Sequence, residues 1–107
     1  MRVLIVESEP NLGWLWKRHL DRFCDLVSLA AGQSEAVGHL ASEDYNVVVL
    51  DLVLSEGSAF AVADYASYRR PSAKVVFVTN TSFFSDGSIC QLIPNACAFL
   101  PTRTPLA

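Results

Sequence analysis

Three short runs of aliphatic and β-branched residues constrain the fold of this chain more than any other feature. They extend from Arg2 to Val6, from Asn46 to Leu50 with Asp51 closing the run, and from Lys74 to Val78. Alternation of apolar and polar residues would indicate a sheet with one solvated face, whereas a continuous apolar run is typical of a parallel strand covered on both faces. We therefore predict a parallel sheet built on these segments.

Two weaker strand candidates, Leu26 to Ala31 and Ala96 to Leu100, bring the number of strands to five. Helical patterns separate the strands, and strands that alternate with helices favour a parallel sheet with crossover helices. The sequence thus predicts a single α/β domain over residues 1–107 with the order (βα)4β. Only seven residues follow Leu100, so we expect a fifth helix to be missing or truncated.

The helices have recognisable starts and apolar faces. Pro10 suits the first helical position of the first helix, whose apolar face leaves Trp14 pointing outward. The residues of that face are Leu12, Leu15, Trp16, Leu20 and Phe23. A second helix is predicted to start at Gln33 or Ser34. Its narrow apolar stripe comprises Ala36, Val37, Leu40 and Ala41.

Ser58 is a suitable N-cap for a third helix, which is expected to stop before Pro71. The apolar residues of this helix are Phe60, Val62, Ala63 and Ala66. A fourth helix between Thr81 and Ile93 is interrupted by the breaker sequence Asp86-Gly87-Ser88.

Charge and composition exclude several classes of function. Eight Lys and Arg residues stand against eleven Asp and Glu, which gives a net charge of −3, and the basic residues do not form the clustered patch that nucleic-acid binding requires. No apolar stretch approaches the roughly 20 residues of a membrane span, and no secretory signal is apparent, so we expect a cytoplasmic protein. The three cysteines lack CxxC spacing, which disfavours zinc binding and thiol exchange.

Polar side chains follow the predicted strands where an open parallel sheet places its ligands, at the carboxyl ends. They are Glu7, Ser8 and Glu9 after the first strand, Asp51 after the third, Thr79 and Asn80 after the fourth, and Thr102 and Arg103 after the fifth. Asp51 is the most informative, because an aspartate that closes a buried strand has either a functional role or the structural role of accepting hydrogen bonds from nearby amides.

The ordered set resembles the receiver domain of bacterial response regulators, which has a flavodoxin-like fold with a five-stranded parallel sheet and flanking helices. That family has acidic residues after the first strand, a phosphoacceptor aspartate after the third, a Thr or Ser after the fourth and a lysine after the fifth. Glu7-Ser8-Glu9, Asp51 and Thr79 occupy the first three places, and Gly57 matches a loop glycine of the family. The resemblance covers nearly the whole chain.

The resemblance implies a role for each of these residues. Asp51 would be the phosphoacceptor and would hold Mg²⁺ together with Glu7 and Ser8, because Mg²⁺ prefers oxygen ligands. Thr79 would bind the phosphoryl group, and Thr79 and Phe99 would form the conformational switch. Phe83, Phe84 and Phe99 would contribute to the surface that recognises a partner.

Two departures from the family pattern bear on this chemistry. Ser8 replaces a carboxylate, so Mg²⁺ should be weakly bound. Thr102 occupies the place of the family lysine, or Leu100 does if the strand is shifted, and neither is charged, although Arg103 is adjacent. Both changes remove charge that would stabilise the transferred phosphoryl group.

Our leading interpretation is therefore an atypical, stand-alone receiver-like domain of a two-component phosphorelay that acts by protein–protein interaction and not as an enzyme. The expected partners are a sensor histidine kinase or another signalling protein, and a second copy of the chain in a homodimer. One alternative is a pseudo-receiver that binds its partner independently of phosphorylation. Another is a small flavodoxin-like enzyme that binds a different ligand, although glycine-rich phosphate-binding motifs are missing.

Overall fold

The computed structural model describes residues 1–78, which form four strands and three helices in strict alternation. The strands are β1 (Arg2–Val6), β2 (Leu26–Ala30), β3 (Val47–Asp51) and β4 (Lys74–Val78). The helices are α1 (Pro10–Asp21), α2 (Gln33–Ser42) and α3 (Ala59–Arg69). The predicted segments Thr81 to Ile93 and Ala96 to Leu100, and the question of a fifth helix, lie outside the described residues.

The strands form one parallel sheet in the order β2-β1-β3-β4. Val6 pairs with Ala30 of β2 on one side and with Leu50 of β3 on the other. β1 and β3 are therefore the inner strands of the described sheet, and every residue of β3 is buried. This confirms, for β1 and β3, the prediction that continuous apolar runs mark strands covered on both faces. β4 was also predicted to be a buried strand, but only Val76 and Val78 of it are buried and Phe77 is 38% exposed, because β4 is the outermost strand of the described sheet.

Alternate residues of the strands pack into two hydrophobic layers, one on each face of the sheet. On one face, Val3, Ile5 and Val49 pack with Trp16 and Leu20 of α1. On the opposite face, the layer combines strand residues with the buried sides of α2 and α3. Its members are Leu4, Val6, Ala30, Ala36, Leu40, Tyr45, Val48, Leu50, Ala59, Val62 and Ala66.

The helix starts agree with the local sequence signals. Pro10 is the first residue of α1, and α2 begins at Gln33, one of its two predicted starts. Ser58 is the N-cap of α3, where its side chain accepts hydrogen bonds from the amides of Phe60 and Ala61. Trp14 is 56% exposed, as predicted.

Three residues predicted to be part of apolar faces are exposed instead. Leu15 is 52% exposed because α1 packs on the sheet through the narrower line of Gly13, Trp16 and Leu20. Phe60 is 67% exposed because α3 turns the small residues of its opposite side inward, and its ring lies 5.8 Å from that of Phe77. Ala41 is also exposed, since α2 buries only Ala36 and Leu40. The second strand ends at Ala30, one residue before its predicted end.

Candidate functional site

Two carboxyl side chains are buried next to each other at the carboxyl edge of the sheet. Glu7 directly follows β1 and Asp51 is the last residue of β3, and these strands are paired through Val6 and Leu50. Glu7 is 2% exposed and Asp51 is 1% exposed. A buried acidic residue without a cation is costly, so the pair is the first candidate for a functional site.

Each carboxyl group of the pair has one oxygen that accepts a hydrogen bond from a backbone amide and one that does not. Glu7 Oε2 accepts a hydrogen bond of 2.9 Å from the amide of Glu9, and Asp51 Oδ1 accepts one of 2.9 Å from the amide of Val53. Apart from a hydrogen bond between the two carboxyl groups themselves, Glu7 Oε1 and Asp51 Oδ2 have no donor in the described part of the chain. Asp51 thus makes the structural amide contact considered above, and its second oxygen has only Glu7 as a partner within residues 1–78.

The Glu7 carboxyl group retains its proton to a higher pH than an ordinary glutamate does. Burial raises the pKa of Glu7 from 4.5 to about 7, and a hydrogen bond with the Asp51 side chain and the negative charges of Asp51 and Glu9 act in the same direction. The amide of Glu9 opposes this shift by donating to the Glu7 carboxylate. With a pKa of about 7, the Glu7 carboxyl group is partly protonated near neutral pH.

Ser8 is engaged with two neighbouring loops. Its hydroxyl donates a hydrogen bond of 2.6 Å to the carbonyl oxygen of Ala31 and accepts one of 2.9 Å from the amide of Ser55. Ala31 follows β2 and Ser55 lies between β3 and α3. Because a hydroxyl has a single proton, its donor capacity is fully used here.

Glu9 is exposed and serves the first helix. Its Oε1 accepts hydrogen bonds of 2.7 Å from the amide of Asn11 and 3.2 Å from that of Leu12, which makes Glu9 the N-cap of α1. Its negative charge also suits the positive end of the helix dipole. Of the three residues predicted as an acidic cluster, only Glu7 points its carboxyl group at Asp51.

Hydrogen bonds connect the loop between β3 and α3 to the start of α2. Glu56 accepts a hydrogen bond from the Gln33 amide at its carbonyl oxygen and two from Ser34 at its carboxylate, all 3.0 Å long. Gln33 Oε1 accepts a hydrogen bond of 2.9 Å from the amide of Ser58. Gly57 has a φ of +79° and its backbone lies so close to Gln33 that no side chain would fit.

Gln33, Ser55 and Glu56 were not among the site residues predicted from the sequence. Gly57 was the only residue of the loop that the resemblance to receiver domains identified. These hydrogen bonds join residues that are 22 to 47 positions apart in the sequence. Periodicity and short motifs cannot predict such contacts, because they describe only neighbouring residues.

The donor set fits a divalent cation in part. The oxygens of Glu7 and Asp51 that no amide binds are hard ligands of the type that Mg²⁺ prefers, and such sites commonly use one or two carboxylates with water. Within residues 1–78, no three side chains of His, Cys, Asp or Glu converge on a metal-sized site. Glu7 and Asp51 could hold a cation, and Ser8 could add at most a weak third contact.

Several predicted site residues lie outside the described part of the chain. They are Thr79, Phe83, Phe84, Phe99 and Thr102. The phosphoryl-binding, switch and recognition roles that the resemblance implies for them stay predictions.

Comparison with solved structures identifies the fold. The receiver-domain protein (CheY-like) from Methanospirillum hungatei is 25% identical with a TM-score of 0.69, over 77% of this chain and 70% of that one. The non-phosphorylated HemR receiver domain from Leptospira biflexa is 30% identical with a TM-score of 0.65. That match covers 73% of this chain and 63% of the HemR chain.

A response regulator from Burkholderia pseudomallei, solved with a phosphorylated aspartic acid, a calcium ion and citrate, is 20% identical with a TM-score of 0.69. The match covers 73% of this chain, which spans about half (46%) of the length of that protein. No protein-family model matches the sequence, and no curated protein is similar to it in sequence. The chain has the fold of a response-regulator receiver domain.

Among the helices described in residues 1–78, none is long and apolar enough to cross a membrane.

Proposed function

We propose that this chain is the receiver-like domain of a two-component signalling pathway, that Asp51 is its phosphoacceptor, and that its output is the binding of another protein. One observation carries the proposal. In a receiver fold, the aspartate that ends β3 is buried beside a second carboxyl group, and one of its oxygens has no donor other than Glu7 in the described part of the chain. A structural aspartate at this place would be expected to satisfy both oxygens with amide or hydroxyl donors and not with a second acid.

The proposed reaction transfers one phosphoryl group. An oxygen of ionised Asp51 attacks the phosphorus of a phosphohistidine or an acyl phosphate, the bond from phosphorus to the donor breaks, and the donor leaves with its electron pair. Glu7 lies beside Asp51 and, when ionised, would hold a divalent cation together with it. Such a cation would supply positive charge that offsets the charge on the phosphoryl oxygens.

The natural donor in this proposal is a sensor histidine kinase, and the domain itself performs no catalytic turnover on another substrate. Homodimer formation and recognition through Phe83, Phe84 and Phe99 are further parts of the proposal. Exposed apolar side chains support a binding function, since Val53, two residues after Asp51, is 74% exposed and Trp14 is 56% exposed.

A second candidate function is a pseudo-receiver that binds its partner without phosphorylation. The contacts of Ser8 favour it, because a hydroxyl that is already bound to Ala31 and Ser55 contributes little to a cation site. The two candidates differ in whether Asp51 accepts a phosphoryl group.

The test is the intact mass of the protein after short incubation with acetyl phosphate and Mg²⁺ at neutral pH. We expect a gain of one phosphoryl group in the wild type and none in Asp51→Asn, which keeps the shape of the side chain and removes the nucleophilic charge. Asp44→Asn is the matched control, because Asp44 is an exposed aspartate at the opposite edge of the sheet. No mass gain in a protein with native circular dichroism would eliminate the phosphoacceptor and leave the pseudo-receiver.

A further inference from the structure

The side chain of Ser8 joins three loops at the carboxyl edge of the sheet. Its backbone belongs to the loop after β1, its hydroxyl proton goes to Ala31 after β2, and its oxygen receives the amide of Ser55 after β3. We call these two hydrogen bonds the Ser8 bridge. Ser55 is four residues beyond Asp51, so the bridge holds the loop that leaves the candidate phosphoacceptor.

The same loop is held at a second point by the contacts of Glu56 and Gln33. Gly32, the N-cap of α2, provides no side-chain hydrogen bond, and Glu56 supplies the missing cap from another loop by accepting from the Ser34 amide and hydroxyl. The loop between β3 and α3 is thus fixed on one side to the loop after β1 and on the other to the start of α2.

We propose that Ser8 is a positioning residue, whose hydroxyl keeps the loop after Asp51 in its place without a bound cation. A carboxylate at this position could accept the Ser55 amide but could not donate to the carbonyl of Ala31, and two facing acceptors repel each other. An acidic residue would therefore need a cation to hold the same loops together. This inference rests on the proposed function only in treating the surroundings of Asp51 as the working site.

The experiment is residue-resolved hydrogen exchange of the Ser55 amide in the whole chain, measured in EDTA and again with Mg²⁺ alone. In the wild type we expect the same protection under both conditions. The amide of Leu52 is the internal reference, because it donates its hydrogen bond of 2.9 Å to the carbonyl of Val78 and not to Ser8.

Three variants separate the hydroxyl from its alternatives. In Ser8→Ala, the Ser55 amide should exchange about fivefold faster than in the wild type, both in EDTA and with Mg²⁺, as expected for the loss of one hydrogen bond. Ser8→Thr keeps the hydroxyl and should restore protection. Ser8→Asp should lose protection in EDTA and regain it with Mg²⁺, a response that a purely structural effect would not produce.

Ser42→Ala is the matched control, because the Ser42 hydroxyl bonds only to carbonyls of its own helix, at Gly38 and His39. Unchanged exchange at Ser55 in Ser8→Ala would overturn the proposal, and so would wild-type protection that appears only with Mg²⁺. If Ser8→Ala does not fold, the wild-type and Ser8→Thr measurements still decide the matter. Since no phosphoryl donor is present, failure here is distinguishable from failure of the phosphoacceptor assignment.

Discussion

The two edges of the sheet differ in whether their charged side chains are paired with side chains of opposite charge. At the amino edge, Arg2 pairs with Glu43 and Arg70 pairs with Asp44 at 2.7 Å. At the carboxyl edge, Glu7 and Asp51 are buried together, and within residues 1–78 no cation lies within ion-pair distance of either. Three of the four ion pairs in this part of the chain occur at the amino edge, and the fourth lies on α1.

The charges of the amino edge have a structural role. Arg70 Nε donates a hydrogen bond of 2.9 Å to the carbonyl of Leu40, and Arg69 donates one of 3.0 Å to the carbonyl of Ala41. The two arginines therefore satisfy carbonyls at the end of α2. At the carboxyl edge the burial of two like groups costs stability, as the raised pKa of Glu7 shows. Function is the most direct reason for retaining a destabilising pair, so the contrast indicates which edge is the working one.

The largest effect is expected when the destabilising pair is neutralised. Because the pKa of Glu7 is about 7 in the folded chain and 4.5 in the unfolded chain, the folded chain binds the extra proton between these values. The contribution of Glu7 to stability is therefore full below about pH 4.5 and is lost as pH rises through 7, by about 2 to 3 kcal/mol. Glu7→Gln should remove this loss and be more stable than the wild type at pH 8.

The measurement is chemical denaturation of both proteins from pH 4.5 to pH 8 in EDTA. The difference between the two free energies of unfolding isolates Glu7 from the other acidic groups. Glu35→Gln serves as control, because Glu35 is exposed at the start of α2. A difference that does not change with pH would contradict the raised pKa of the buried Glu7.

A smaller loss of unfolding free energy is expected when the Arg70 contacts at the amino edge are removed. Arg70→Ala removes a side chain that is only 17% exposed and leaves the carbonyl of Leu40 without its donor. We expect a loss of about 1 to 2 kcal/mol in unfolding free energy, with little dependence on pH between 5 and 8. Asp44→Asn should cost less than half as much, because Asp44 is 81% exposed and its ion pair is screened by solvent. Equal losses in both variants would show that the ion pair, and not the carbonyl contact, stabilises this edge.

The smallest effect is expected for a surface pair that belongs to neither edge. Asp21→Asn breaks the contact of 2.9 Å between Lys17 and Asp21 on α1. We expect a change below about 0.5 kcal/mol in thermal or chemical unfolding, and a weaker one at high salt. A change as large as that of Arg70→Ala would remove the distinction between buried and exposed charges on which the comparison of the edges depends.

Much of the described fold could be predicted because its signals are local. β1 and β4 were predicted with the bounds that the structure gives them, and the starts of α1 and α3 followed from Pro10 and Ser58. The exposed positions of Leu15 and Phe60 could not be predicted, because helical periodicity defines an apolar side but not how much of it a sheet can cover.

Local patterns in the sequence were sufficient to predict the alternation of strands and helices, the burial of β3 and the position of Asp51 at its end. Folding of the chain was needed to bring Glu7 beside Asp51, to place Ser8 between three loops and to let Glu56 cap α2. The physical reason is distance along the chain. Propensities and periodicity act over a few residues, whereas these contacts join segments that meet only when β1 is inserted between β2 and β3.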